Sequence, residues 1–161
     1  MKKRKPTPPS NRQTATVTYR GVLTRSEPLK ALTTGFSRGV GRNAFGRITT
    51  RHKGGGHKRS YREIDFRFDK IGIPSKVESV EYDPNRSGFI GVVCYADGER
   101  RYNLLPQGIK VGDTLLVSED APLKPGNRTT LRKVPVGTFV YNIELQPNGG
   151  ARIARSAGNY A

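Results

Sequence analysis

Apolar positions in this chain recur at every second residue more often than at helical spacing. No window of about 11 residues repeats them cleanly at i, i+3, i+4 and i+7. Residues 59–68, RSYREIDFRF, alternate and predict a half-buried strand with Ile64, Phe66 and Phe68 inward. Val77, Val80 and Tyr82 mark a second strand, Phe89 to Tyr95 a third and Arg101 to Leu105 a fourth. Between them lie two turns. DPNRSG (83–88) collects Asp, Pro, Asn and Gly, with Asp83 as its cap, and Asp97-Gly98 is a hairpin signal. Together these predict a three-stranded antiparallel meander, and VGDTLLV (111–117) adds a short strand.

Short strands at such close spacing argue for a small barrel. With 19 Gly and 11 Pro in 161 residues, long helices are not expected. The division that results is a basic arm over 1–35, a barrel over 36–120 and a second unit over 121–161. The arm is expected to be extended and to order on its ligand, with a short strand left open at Thr16–Tyr19. Val134, Val136, Phe139, Val140, Ile143 and Leu145 are the apolar residues of the second unit, which is too short to close a barrel of its own.

Charge changes the picture. The formal net charge is +16, which makes a polyanion the default partner. No apolar run approaches the roughly 20 residues of a membrane span, and none follows MKKRKPTPPS, so neither a span nor a signal peptide is expected. The charge is also uneven. Residues 1–70 hold 18 Lys/Arg against 4 Asp/Glu, whereas residues 71–161 hold 11 against 9. From residue 28 to residue 62 there are nine Lys/Arg and no carboxylate. Such a run repels itself unless an anion lies against it. The glycines among these cations let backbone approach a ligand closely, which suits contact with phosphates.

Other motifs weaken on inspection. GVGRNA (39–44) fits a loose dinucleotide pattern, but neither the strand before it nor the helix after it is predicted. GRNAFGRIT carries Arg47 where a phosphate loop needs lysine. His52 and His57 sit among cations that would repel a metal, so both are read as RNA contacts. Cys94, the one cysteine, lies in the run FIGVVCYA and is expected to be a buried core thiol. No catalytic set is discernible, so no enzyme activity and no small-molecule substrate are expected.

These residues also match something specific. GRNAFGRITTRHKGGGHKRSYREIDFRFDK (41–70) and VEYDPNRSGFIGVVCYADGERRYNLLP (80–106) closely resemble successive blocks of the large ribosomal subunit protein two family, bacterial or organellar type. KVGDTL, APLKPGN, VPVGTFVYNIELQPNGGA and ARSAGNYA follow in the same order, so the resemblance runs from about residue 35 onward. It implies an all-β chain: an OB-like five-stranded barrel, then the start of an SH3-like barrel, after an extended basic arm. It also implies a structural protein that binds large-subunit ribosomal RNA near the peptidyl-transferase region and aids subunit association. Neighbouring ribosomal proteins would be further partners, in a cytoplasmic bacterial or an organellar ribosome. No cofactor is implied, and magnesium would enter only with the RNA.

The RNA contacts expected in the basic segment are Arg38, Arg42, Asn43, Arg47, Arg51, His52, Lys53, Gly54, Gly55, His57, Lys58, Arg59, Tyr61 and Arg62. Arg86 of the PNRS turn, Lys124 of APLKPGN and Arg155 of ARSAG complete the set. Two departures stand out. Phe45 replaces a small or polar residue, and could stack on a base or fill the barrel; Tyr141 stands where a histidine is common. The family's C-terminal third is not in this sequence, so no role in peptidyl transfer is assigned. The alternative reading is a generic OB-type single-strand binder or RNA chaperone, with bases stacked on Tyr82, Tyr95 or Tyr102.

Overall fold

The structure is a computed structural model describing residues 1–161. Its elements are β1 (Lys2–Lys3), α1 (Pro9–Arg12), β2 (Ala15–Thr16), β3 (Thr33–Gly35), β4 (Ser60–Arg62), β5 (Ser75–Glu81), β6 (Ile90–Tyr95), β7 (Arg100–Leu104), β8 (Thr114–Leu115), β9 (Ile143–Glu144) and β10 (Ala151–Ile153). Two 3-10 turns, Lys30–Leu32 and Leu131–Lys133, complete them. The chain is all-β, as the alternation predicts. No helix is long and apolar enough to cross a membrane.

The main sheet has the order β7-β6-β5-β8, antiparallel throughout, and curls into a half-barrel. The predicted meander is its centre. Asp97-Gly98 closes β6 onto β7, with the Tyr95 N–H donating to the Glu99 carbonyl at 2.9 Å and Gly98 at φ 87°. Alternate side chains of β6 enter two clusters. Val93 and Tyr95 pack with Val77 and Leu115, and Ile90 and Val92 pack with Tyr102 and Leu104. Removing each such side chain from water stabilises the fold by roughly 1.5–3 kcal/mol. This accounts for the continuous apolar run FIGVV, since both faces of β6 are covered.

A polar knot sits at the second cluster. The fully buried Tyr102 hydroxyl donates to the Glu81 carboxylate at 2.6 Å and accepts the Leu29 N–H at 2.7 Å. Burial, reinforced by the neighbouring carboxylate, pushes the Tyr102 pKa up to about 12. The Thr24 hydroxyl exchanges hydrogen bonds with the Val80 backbone, so residues 24–35, read with the arm from sequence, lie against the sheet. Before them, β1 and β2 pair with each other around α1.

Two sequence expectations need correction. The predicted strand over 59–68 is broken. Only Ser60–Arg62 is regular, and Ile64 makes one isolated parallel bridge to Tyr102. The cause is Asp65, whose carboxylate accepts the Arg67 and Phe68 N–H groups at 2.9 and 3.0 Å and turns the chain, leaving Phe68 at φ 55°. Cys94 is not core but half-buried, with Lys76 and Arg100 as its cross-strand neighbours. In the second unit the apolar side chains of Val136, Phe139 and Leu145 are exposed. That unit is tied to the first by Tyr141 on the second cluster and by Arg128, which bridges Val117 and lays its guanidinium 4.4 Å from the Phe68 ring centroid.

Candidate nucleic-acid interface

The basic segment is built from a closed small hairpin. The Gly41 carbonyl accepts the Thr49 and Thr50 N–H groups at 2.7 and 3.2 Å, and Arg42 bridges Ile48 antiparallel. Gly41 sits at φ 68°, and a Cβ there would lie 2.6 Å from the Thr50 carbonyl oxygen, so glycine is required. The Asn43 carboxamide oxygen accepts the Phe45 and Arg47 N–H groups at 3.0 and 2.9 Å. Asn43 is thereby engaged in shaping the turn. Arg42, Arg47 and Arg51 are exposed on this hairpin and make no ion pair.

Beyond it, His52 takes a left-handed conformation (φ 59°), and Lys53, Lys58 and Arg59 are exposed. Gly54 and Gly55 have open space where a side chain would be, which leaves their backbone approachable. Gly56 is different: the Arg38 guanidinium lies over it, 2.2 Å from where a Cβ would stand. The His57 Nδ1 lies 3.0 Å from the Lys58 carbonyl. Where the segment returns to the fold as β4, Tyr61 is partly exposed against Phe36, ring centroids 6.2 Å apart. Arg62 is not on the surface. It is only 9% exposed and donates to the Ser60 carbonyl at 2.8 Å.

Arg86 and Arg155, far apart in sequence, are brought together on one ring. Their guanidinium carbons lie 5.6 and 4.5 Å from the centroid of Phe66, within cation–π range. Phe66 was legible only as an inward residue of a strand, and nothing in its local pattern marks it as this platform. Arg86 is anchored rather than free, since its Nε donates at 2.5 Å to Asp83, a carboxylate with no exposure. Asp83 caps the turn as expected, accepting the Asn85 N–H at 2.8 Å. The same turn reaches the basic segment through Asn85, whose side-chain amide donates to the Ser60 carbonyl at 2.8 Å. It reaches the second unit through Ser87, whose hydroxyl accepts the Ala157 N–H at 3.0 Å. One corner therefore gathers β4, the 83–88 turn and the 151–157 stretch. Lys124 is exposed on a separate turn, 122–127, beside β8.

Electrostatics divide the chain the same way. Every ion pair involves residues from Asp65 onward. Arg101 meets Asp65, Asp69 and Glu99, and Lys70 meets Asp97 and Glu99. The Arg101 guanidinium holds the Asp69 and Glu99 carboxyls below the usual carboxylate range. No three His, Cys, Asp or Glu side chains are grouped so as to hold a metal ion. Of the three tyrosines the alternative reading names, Tyr95 and Tyr102 are 2% and 0% exposed and cannot stack on a base, which leaves only Tyr82, exposed and edge-on to Tyr19.

Comparison with known families puts the basic segment and the main sheet in one matched domain. Residues 29–117 match the family described as Ribosomal Proteins L2, RNA binding N-terminal domain, and residues 124–161 match Ribosomal Proteins L2, C-terminal domain. An all-β chain whose nine Lys/Arg from Lys30 to Arg62, uninterrupted by a carboxylate, lie inside the matched RNA-binding domain is a member of the ribosomal protein L2 family, an RNA-binding protein of the large ribosomal subunit.

Proposed function

We propose that this protein binds large-subunit ribosomal RNA through two surfaces, the segment from Arg38 to Arg59 and the Phe66 corner carrying Arg86 and Arg155. The segment follows phosphates with exposed cations and open glycine backbone. The corner presents arginines in fixed geometry, suited to phosphate forks and base faces. Its role is to support RNA tertiary structure and subunit association near the peptidyl-transferase region, beside neighbouring ribosomal proteins and without chemistry of its own. The observation that carries the reading is the run of nine Lys/Arg over residues 28–62 with no carboxylate and no ion pair.

The test is a filter-binding titration with large-subunit RNA fragments across salt, with unrelated RNA as competitor. Each neutralised phosphate adds about −0.7 to −0.9 to the log–log salt slope, so a steep slope is expected. The Arg86→Ala/Arg155→Ala pair is expected to lose fragment preference while retaining salt-sensitive binding. A flat salt response with no preference for structured fragments would overturn the reading.

A further inference from the structure

The tip of the 41–50 hairpin holds a feature that phosphate binding does not explain. Phe45 is 90% exposed. An aromatic ring so placed in water is unfavourable, and a flexible loop could simply fold it inward. This loop is not free to do so. The Phe45 N–H is tied to the Asn43 carboxamide at 3.0 Å, the Gly46 N–H to the Asn43 carbonyl at 3.0 Å, and the strands of the hairpin close on Gly41. The turn therefore holds the ring outward. Arg42 and Arg47, exposed and without ion pairs, flank it, and the nearest carboxylates in sequence are Glu27 and Glu63.

A ligand for this tip must offer a flat apolar face with anions on either side. An unpaired nucleotide does both, and a protein pocket would have to accept two cations along with the ring. We propose that Phe45 stacks on an unpaired base of the bound RNA, with Arg42 and Arg47 on the adjoining phosphates. This rests on the RNA-binding reading above and assigns one base contact within it.

The chain contains no tryptophan, so Phe45→Trp introduces a single indole reporter. The probe is large-subunit ribosomal RNA transcript added to the full chain. Indole emission is expected to be quenched on binding and the ring shielded from acrylamide. Stacking on one base is worth about 1–3 kcal/mol, so Phe45→Ala is expected to weaken filter binding roughly 5- to 150-fold. Its salt slope should be unchanged, because no charge is lost. Phe45→Leu separates stacking from simple burial: it should bind as poorly as the alanine variant, whereas an apolar pocket would accept it. Circular dichroism of the three variants should match the wild type, since the exposed ring supports no core. If wild type binds the transcript tightly and Phe45→Ala binds equally well, the stack is wrong and the RNA reading survives. If the indole stays open to acrylamide on RNA and is shielded only when ribosomal proteins are added, the ring belongs to a protein pocket and the proposal falls. If wild type shows no salt-dependent binding at all, both readings fall together.

Discussion

Arg101, on β7, faces the carboxylates of Asp65, Asp69 and Glu99, whereas Arg47, on the 41–50 hairpin, faces none. The two residues are of one type and lie in one small protein, yet their charges are disposed of differently. Around the sheet, cations are neutralised from within: Lys70 by Asp97 and Glu99, and Arg100 by Glu78. In the basic segment they are left over. The sheet is consequently a body that holds its shape by apolar clusters and local charge pairing. The segment is a surface whose electrostatic partner lies outside the chain. Net charge alone would have treated both as equally cationic.

The sharpest way to break this comparison is to damage one region and measure both properties. Tyr102→Ala removes a fully buried ring and both hydrogen bonds of its hydroxyl. It is expected to cost about 3–5 kcal/mol in urea unfolding. Asp83→Asn should cost less, roughly 1.5–3 kcal/mol by the same measurement, because one charge-assisted bond to Arg86 is weakened while the turn cap survives. This variant should also alter RNA fragment preference, since it loosens the arginine on the Phe66 corner. The triple change Arg42→Ala/Arg47→Ala/Arg51→Ala should do the reverse of Tyr102→Ala. Stability is expected to move by no more than about 0.5 kcal/mol, while the log–log salt slope falls in magnitude by roughly 2 to 3. A large loss of stability in the triple variant would mean the segment is part of the body after all.

The smallest effects are those of pH. The carboxyls of Asp69, Glu78, Asp97, Glu99 and Asp120 are all held below their ordinary range by side-chain hydrogen bonds from Arg101, Arg100, Lys70, Arg101 and Lys133. A carboxyl whose folded pKa is depressed contributes stability above its unfolded pKa, about 4, and loses it as pH falls further. Urea midpoints should therefore decline below about pH 4, gently, because these pairs are exposed. At the other end, burial pushes Tyr102 and Tyr141 up to about 12. A raised tyrosine contributes stability in full below its unfolded pKa of about 10, and that contribution is lost as pH rises from there through the folded value.

Much of this was legible from the sequence, and the limits have physical reasons. The meander was readable because alternation, the Asp83 cap and Asp97-Gly98 all act within a few residues. The broken strand at 59–68 was not, because one aspartate with two backbone donors within reach outweighs an alternating pattern. Arg62 shares the parity of Ile64, and only the fold shows that a cation can lie there with the Ser60 carbonyl as its partner. The basic segment announced itself through missing carboxylates, which is a property of composition. The roles within it divide by geometry. Asn43, expected as an RNA contact, also shapes the turn through its carboxamide oxygen, while Phe45 had two open roles and stands exposed at the hairpin tip. The meeting of Arg86 and Arg155 on Phe66 depends on long-range packing, and no local signal encodes it.

That meeting also sets an order of assembly. The β6–β7 hairpin closes over the tight Tyr95–Glu99 turn, so the meander can form as soon as its own residues are available. The corner must wait. Its clasp from Ala157 to Ser87 spans 70 residues of chain, and loops that long close late. During synthesis the sheet would thus be complete while Arg86 still lacks its companion. The corner would arrive afterwards, only once residues 151–157 have been made.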